Sequence, residues 1–218
     1  TISWSTYFLP NYTLSYNNVT SVSVTPFDYN KVIVTWCDDT EDDISLAVFN
    51  TTGVLLTGIY DVDESAGNCQ NNVVGYSVSV TAFDLNKFLV AWYDSIDSDI
   101  SFKIFNSSLQ NITSDVDVDT NSGNSSAVAT SAFNTTAFVI GWYDHVSQNS
   151  SFRNYNDAGN SISNEIVVDT STGATANAVD VSAFNSTAFM FSWFDGASND
   201  ASIVPYSVQG NALASVFD

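Results

Sequence analysis

The stretch Ala132-Phe133-Asn134-Thr135-Thr136-Ala137-Phe138-Val139-Ile140-Gly141-Trp142-Tyr143-Asp144 occurs in four versions. The others are Pro26-Phe27…Val34-Thr35-Trp36-Cys37-Asp38, Ala82-Phe83…Val90-Ala91-Trp92-Tyr93-Asp94 and Ala183-Phe184…Phe191-Ser192-Trp193-Phe194-Asp195. The four tryptophans are 56, 50 and 51 residues apart. Repetition at a fixed period of this size marks a solenoid, a propeller or an array. Within the stretch, Phe138, Ile140 and Trp142 point to one face of a strand, and Val139, Gly141 and Tyr143 to the other. Phe88, Val90 and Trp92 against Leu89, Ala91 and Tyr93 repeat the pattern. A strand apolar on both faces needs a sheet stacked on each side. One position stays small in every copy (Thr35, Ala91, Gly141, Ser192), as a bulky tryptophan from the adjoining sheet would require.

Working outward, each unit reads as four strands. The first alternates valine with small residues: Ser21–Thr25, Ser77–Thr81, Ala127–Ser131 and Ala178–Ser182. The second is the tryptophan strand. The third covers Ile44–Phe49, Ile100–Phe105, Ser150–Tyr155 and Ala201–Tyr206, and Pro205 suits a position near a sheet edge. A turn follows, with Gly53, Gly159 or Gly210 at the same offset. The fourth strand is expected at Leu55–Val62, Ile112–Val118, Ile162–Val168 and Leu213–Phe217. Four short antiparallel strands per unit, each sheet needing neighbours on both faces, predict an all-β, β-propeller-like fold of four-stranded blades of about 50 residues. The chain then reads as one repeat domain over 1–218: a half-blade at 1–20 and blades at 21–76, 77–126, 127–177 and 178–218. The half-blade is inferred because Thr1–Phe8 aligns with Asp43–Asn50. It would leave an unpaired sheet edge, filled either by the chain's own ring or by another copy.

Ala137-Phe138-Val139-Ile140-Gly141-Trp142, then Phe152-Arg153-Asn154-Tyr155-Asn156-Asp157-Ala158-Gly159, then Ile166-Val167-Val168-Asp169-Thr170, resembles a repeat of large secreted and cell-surface proteins of bacteria and archaea. That repeat follows a pattern G-F-V-V-x-W … F-D-x-x-G … V-N-T. The resemblance spans nearly the whole chain and implies propeller-like blades in an extracellular setting. It carries over no catalytic residues. Ala137 stands where the pattern has glycine, and the first unit lacks the V-N-T stretch.

Composition narrows function. Four Lys and Arg stand against 24 Asp and Glu, a formal charge of −20. Phosphate backbones and anionic membranes are bound through Lys and Arg, so neither nucleic acid nor a membrane surface is an expected partner. No apolar run approaches the ~20 residues of a membrane helix. The acids, mostly Asp, are expected in loops, as a solvated and self-repelling shell. Asp38, Asp39, Asp42, Asp94 and Asp97 are weak candidates for Ca²⁺, which takes hard oxygen ligands from loops, although no EF-hand spacing is present. Asp38, Asp94, Asp144 and Asp195 have a simpler use, capping backbone N–H groups in the turn that leaves strand two. No cofactor is required by any motif.

In an up-and-down meander the 2–3 and 4–1 loops share one face. Cys37 and Cys69 both fall there, which makes a Cys37–Cys69 disulfide reasonable in an oxidising compartment. Nine Asn-x-Ser/Thr sequons occur, at Asn11, Asn18, Asn50, Asn106, Asn111, Asn124, Asn134, Asn149 and Asn185. Asn134 and Asn185 occupy equivalent 1–2 turns, and Asn50 and Asn106 equivalent 3–4 turns, all on the opposite face. Covalent N-glycans are the functional expectation; the plain one is that Asn suits turns.

A catalytic triad would have to use His145, the sole histidine, with no G-x-S-x-G elbow. One histidine and two separated cysteines do not make a zinc site. Three readings remain. The first is a non-enzymatic extracellular structural glycoprotein, a self-associating surface or filament subunit joined to copies of itself, in part through residues 1–20. The second is a carbohydrate-binding, lectin-like propeller using Tyr93, Tyr143 and Phe194 beside the recurrent Asp. The third and weakest is a propeller glycoside hydrolase using a pair of carboxylates. Exposed rings favour the lectin; buried rings favour the assembly.

Overall fold

A computed structural model describes residues 19–38, 43–63, 78–96, 98–119, 125–168, 178–196 and 198–217. Among these described residues fifteen strands make four antiparallel sheets. The first sheet holds β1 (Val19–Asp28), β2 (Lys31–Asp38), β3 (Asp43–Asn50) and β4 (Tyr60–Asp61). The second holds β5 (Val78–Ala82), β6 (Lys87–Asp94), β7 (Asp99–Asn106) and β8 (Val116–Asp117). The third holds β9 (Ser125–Asn134), β10 (Ala137–Asp144), β11 (Asn149–Asn156) and β12 (Ile166–Val167). The fourth holds β13 (Val179–Asn185), β14 (Ala188–Asp195) and β15 (Asp200–Ser207). Each sheet is a simple meander in chain order, and β1 packs against β5, β5 against β9, and β9 against β13. Among the described residues no comparable packing joins the fourth sheet to the first. The sheets are propeller-like blades set one on the next.

Trp36, Trp92, Trp142 and Trp193 are 1%, 0%, 0% and 4% exposed, and β6 and β10 are wedged between a sheet on each side as their two-faced pattern requires. Three apolar layers fill the junctions. Ile33 and Cys37 meet Phe88, Val90 and Trp92. Leu89, Ala91 and Tyr93 meet Phe138, Ile140 and Trp142. Val139 and Phe152 meet Phe189, Phe191 and Trp193. The small position is needed, but for a different ring than the sequence suggests. A Cβ on Gly141 would approach Phe191 Cε2 to 2.7 Å and Val181 Cγ1 to 3.0 Å; the intruder is the aromatic two residues before the tryptophan. Among the described residues the indole N–H groups of Trp36, Trp92 and Trp142 meet no hydrogen-bond acceptor, so these rings serve chiefly as apolar filling, with the Lys103 ammonium 5.9 Å from the Trp92 ring.

The first strand of each blade is a sheet edge, and its outward N–H groups lack a ladder partner. Hydroxyls of the preceding blade supply one. Val78 N–H donates to Ser21 Oγ at 3.0 Å, Val80 N–H to Ser23 Oγ at 3.1 Å, and Ala183 N–H to Ser131 Oγ at 3.0 Å. This is why small hydroxyl residues alternate with valine in that strand. Three of the four cations also tie blades together. Lys103 Nζ donates to Val62 O at 2.7 Å, Arg153 to Val118 O at 2.7 Å, and Lys87 pairs with Asp157.

The fourth strand is shorter than the sequence suggests. Only Tyr60–Asp61, Val116–Asp117 and Ile166–Val167 pair as strands, and the predicted strand Leu213–Phe217 is reduced to the bridge Ile203–Phe217. The preceding turn explains the loss. Gly53, Gly159 and Gly210 sit at φ +79°, +80° and +85°, and the chain re-enters through single bridges such as Tyr155–Ser161 before pairing resumes. Leu109 takes the same position in the second blade at φ +61° without the freedom of glycine. The half-blade expected at 1–20 lies almost entirely outside the described residues.

Candidate functional site

Two groups of loops and two terminal faces could carry function. The 1–2 and 3–4 turns lie together, as the meander predicts: Thr51 N–H donates to Asn30 O, Asp157 N–H to Thr136 O and Val208 N–H to Thr187 O. On this face the sequons are well formed. Asn134 Oδ1 accepts from Thr136 N–H and Thr136 Oγ1, both at 2.8 Å, and Asn185 Oδ1 accepts the same pair from Thr187 at 2.8 Å. Asn50 Oδ1 accepts from Thr52 N–H at 3.0 Å and Thr52 Oγ1 at 2.7 Å. The carbonyl oxygen of each side chain is thereby turned into the loop. Asn106 differs, because its Nδ2 donates to Gln110 Oε1 at 2.9 Å.

The equivalent residues Asp28 and Asp84 accept the same turn N–H groups, from Asn30 and Asn86, each at 2.6 Å. Turn closure therefore accounts for the Asn, and the hydroxyl bond gives the Thr a structural use as well. Asn111 is exposed and Asn149 half-buried at the start of β11. Asn11, Asn18 and Asn124 lie outside the described residues.

The opposite face carries the recurrent acids that follow the tryptophans. Asp94 Oδ1 accepts from Ile96 N–H at 2.9 Å, Asp144 Oδ1 from Val146 N–H at 2.7 Å, and Asp195 Oδ1 from Ser198 N–H at 3.4 Å, which is the capping use predicted for them. Among the described residues no three of His, Cys, Asp and Glu stand so as to hold a metal ion. Of the Ca²⁺ candidates, Asp38 and Asp94 are buried strand ends, and Asp39, Asp42 and Asp97 lie outside the described residues. Cys37 is buried at the end of β2; Cys69 lies outside the described residues.

Two constellations on this face were not legible in the sequence. Ser126 Oγ lies 2.8 Å from His145 Nε2, with Tyr143 edge-on to the imidazole at 4.8 Å. Burial lowers the His145 pKa, and among the described residues no carboxylate is hydrogen-bonded to the ring to orient it. A hydrolytic triad needs that third member, and the Ser126 hydroxyl is itself buried. The second constellation is Asp99, pushed up to about 7 by burial and by the nearby charges of Asp119 and Asp117. It is the kind of protonated acid beside a carboxylate that a glycosidase uses, yet Asp99 and Asp119 are 8% and 0% exposed. The lectin rings fare no better: Tyr93 and Tyr143 are 6% and 2% exposed. Only Phe194, on the last blade, is partly open.

Chain order, sheet composition and blade stacking define a β-propeller-like protein. No protein-family model and no curated protein matches the chain. Solved structures do. The chain is similar to the Dos1 propeller, with a TM-score of 0.55 at 12% identity over 92% of this chain and 47% of that one. It is also similar to a putative exo-β-1,3-galactanase from Bifidobacterium bifidum S17, with a TM-score of 0.51 at 10% identity over 88% of this chain and 68% of that one. A weaker likeness, TM-score 0.47 at 12% identity, is to prolyl oligopeptidase B from Galerina marginata, of which the chain spans 25%. At such identities the likeness concerns the fold alone, and the chain spans under half the length of two of these proteins, Dos1 and the oligopeptidase.

Proposed function

We propose that the chain is a non-enzymatic structural glycoprotein of the cell surface or extracellular space, a subunit that associates with copies of itself. One observation carries this over a lectin: the recurrent aromatic–Asp pairs are consumed by the fold. Tyr93 and Tyr143 are buried between blades, and the Asp94 and Asp144 carboxylates cap turns, which leaves neither pair to receive a sugar. The sequon turns gather on one loop face, where glycans would project clear of the blade junctions. Extracellular placement, N-glycans and the Cys37–Cys69 disulfide belong to this reading and stand with it.

The test is material purified from its native source, imaged by electron microscopy and weighed intact before and after enzymatic deglycosylation. Fibres or sheets, with a mass loss of several glycans, support the reading. A bare monomer that is retained on immobilised polysaccharide supports the lectin instead.

A further inference from the structure

Each of the three blade junctions is built from the same positions, and the fourth blade carries an unfilled half of a fourth junction. Phe27, Phe83 and Phe133 close their strands by packing edge-on or tilted against Phe88, Phe138 and Phe189 of the next blade, at 5.5, 5.2 and 5.3 Å. Phe184 is the equivalent residue of the last blade. It is 57% exposed where the other three are 5–8% exposed. Met190, Phe194 and Ile203 occupy the positions of Leu89, Tyr93 and Phe102, which are buried in the second blade, but here they face outward with Phe217 beside Ile203. Ser192 takes the place of Gly141, and over it lies a hollow of about 230 Å³ walled by Val179, Asp180 and Phe194.

The first blade presents a complementary half. Val22 and Val24 of β1 are 62% exposed each, whereas their equivalents Val78 and Val80 are 5% exposed against the first blade. Val34 pairs with Val24 as Phe191 pairs with Val181, and those two are the side chains that press on Gly141.

The geometry points to a head-to-tail junction in which the outer face of the last blade of one copy receives the β1–β2 face of a second copy. This rests on the self-association proposed above and names its surface. Val24 and Val34 of the second copy enter the hollow over Ser192, and Phe184 covers Val32, the residue equivalent to Phe88. Asp180, at the position of Ser23, accepts the Val24 N–H as Ser23 accepts that of Val80. The two surfaces differ, so the contact is heterologous: it closes into a ring of two or more copies or runs on as a filament. The carboxylate of Asp180 apart, the residues named at each face are uncharged, so a chain of net charge −20 brings little like charge into the junction.

The experiment is sedimentation velocity on the intact glycosylated chain, with Phe184→Asp blocking the last-blade face and Val22→Asp/Val24→Asp blocking the first. All three residues are exposed, and a thermal melt confirms that the variants fold. The wild type is expected to form closed rings of two or more copies, or filaments, and each variant alone to remain monomeric at concentrations roughly 100-fold higher. Mixed, the two variants are expected to give dimers and nothing larger, because one good surface remains on each. Large species from either variant alone overturn this junction while leaving self-association intact. A monomeric wild type whose melting temperature falls sharply with Phe184→Asp shows that the face is covered within one chain, and overturns it too. A monomeric wild type unaffected by either change removes the self-association reading itself.

Discussion

Gly141 and Phe191 are in mutual contact across the junction between the third and fourth blades: a Cβ on Gly141 would lie 2.7 Å from Phe191 Cε2. Each junction sets the small face of one tryptophan strand against the large face of the next. Phe191 is held in the junction by Phe152 of the third blade at 5.8 Å and by Trp193 of its own blade at 6.0 Å, so it has little room to withdraw. Gly141→Ala is therefore expected to lower stability by about 1–3 kcal/mol, the usual cost of overfilling a dense core. A denaturant melt with an unchanged m-value measures it. Ala91, at the equivalent position in the second blade, already carries the extra carbon, and Ala91→Gly is expected to destabilise as well.

Stability is expected to depend on the protonation of Asp99. Burial, with Asp119 and Asp117 adding repulsion, raises its pKa from 3.8 to about 7 in the folded chain. The folded state thus holds this proton at pH values where the unfolded state has released it. Its contribution is fully present below about pH 4 and is lost as pH rises through about 7. Burial raises Glu165 in the same direction, while His145, lowered by burial, works the opposite way. Asp99→Asn keeps an oxygen for the Ile100 N–H, which now donates to Asp99 Oδ1 at 2.6 Å. The variant is expected to melt about 2–4 °C higher than the wild type at pH 8, and to lose that advantage at pH 5.

The inner-edge hydroxyls are expected to matter more than their exposure suggests. Ser131→Ala removes the acceptor of the Ala183 N–H and leaves a half-buried donor unmatched, at a cost of about 1–2 kcal/mol. Hydrogen exchange at Ala183 is the direct readout: its amide should exchange faster in the variant, with amides of β10 unchanged.

The proposed Cys37–Cys69 disulfide is checked by mass. Alkylation of the unfolded, unreduced chain is expected to add no label, and alkylation after reduction to add two. Closing a loop of this length is worth about 3–4 kcal/mol, so reduction should lower the midpoint of unfolding visibly.

The propeller-like fold was legible because stacking imposes a signal no single blade needs. A strand apolar on both faces, repeated at about fifty residues with one small position, fits few architectures besides a row or ring of stacked sheets. The turn-capping role of Asp94 and Asp144 was also legible, since a carboxylate leaving a strand has backbone donors at hand. The identity of the intruding ring was not. The sequence shows that Gly141 must make room, but whether for Trp193 or for Phe191 depends on the stagger between sheets, which no one strand encodes. The Ser126–His145 contact and the shift at Asp99 were hidden for the same reason, because they join residues of different strands and loops through the fold. The sequons carry less meaning in the fold than in the sequence, because Thr136 and Thr187 donate to the very Asn side chains they would license for glycosylation.

Blades interlock by placing a large side chain of one against a small residue of the one before, and at the third junction against Gly141. A double-mutant cycle between Gly141 and Phe191 tests it most directly. Trimming the ring with Phe191→Leu should cost stability in the wild type, yet recover at least about 1 kcal/mol of the loss when Gly141→Ala is already present. If the two changes add without coupling, those residues do not meet across the junction, and the interlocking of blades described above is wrong.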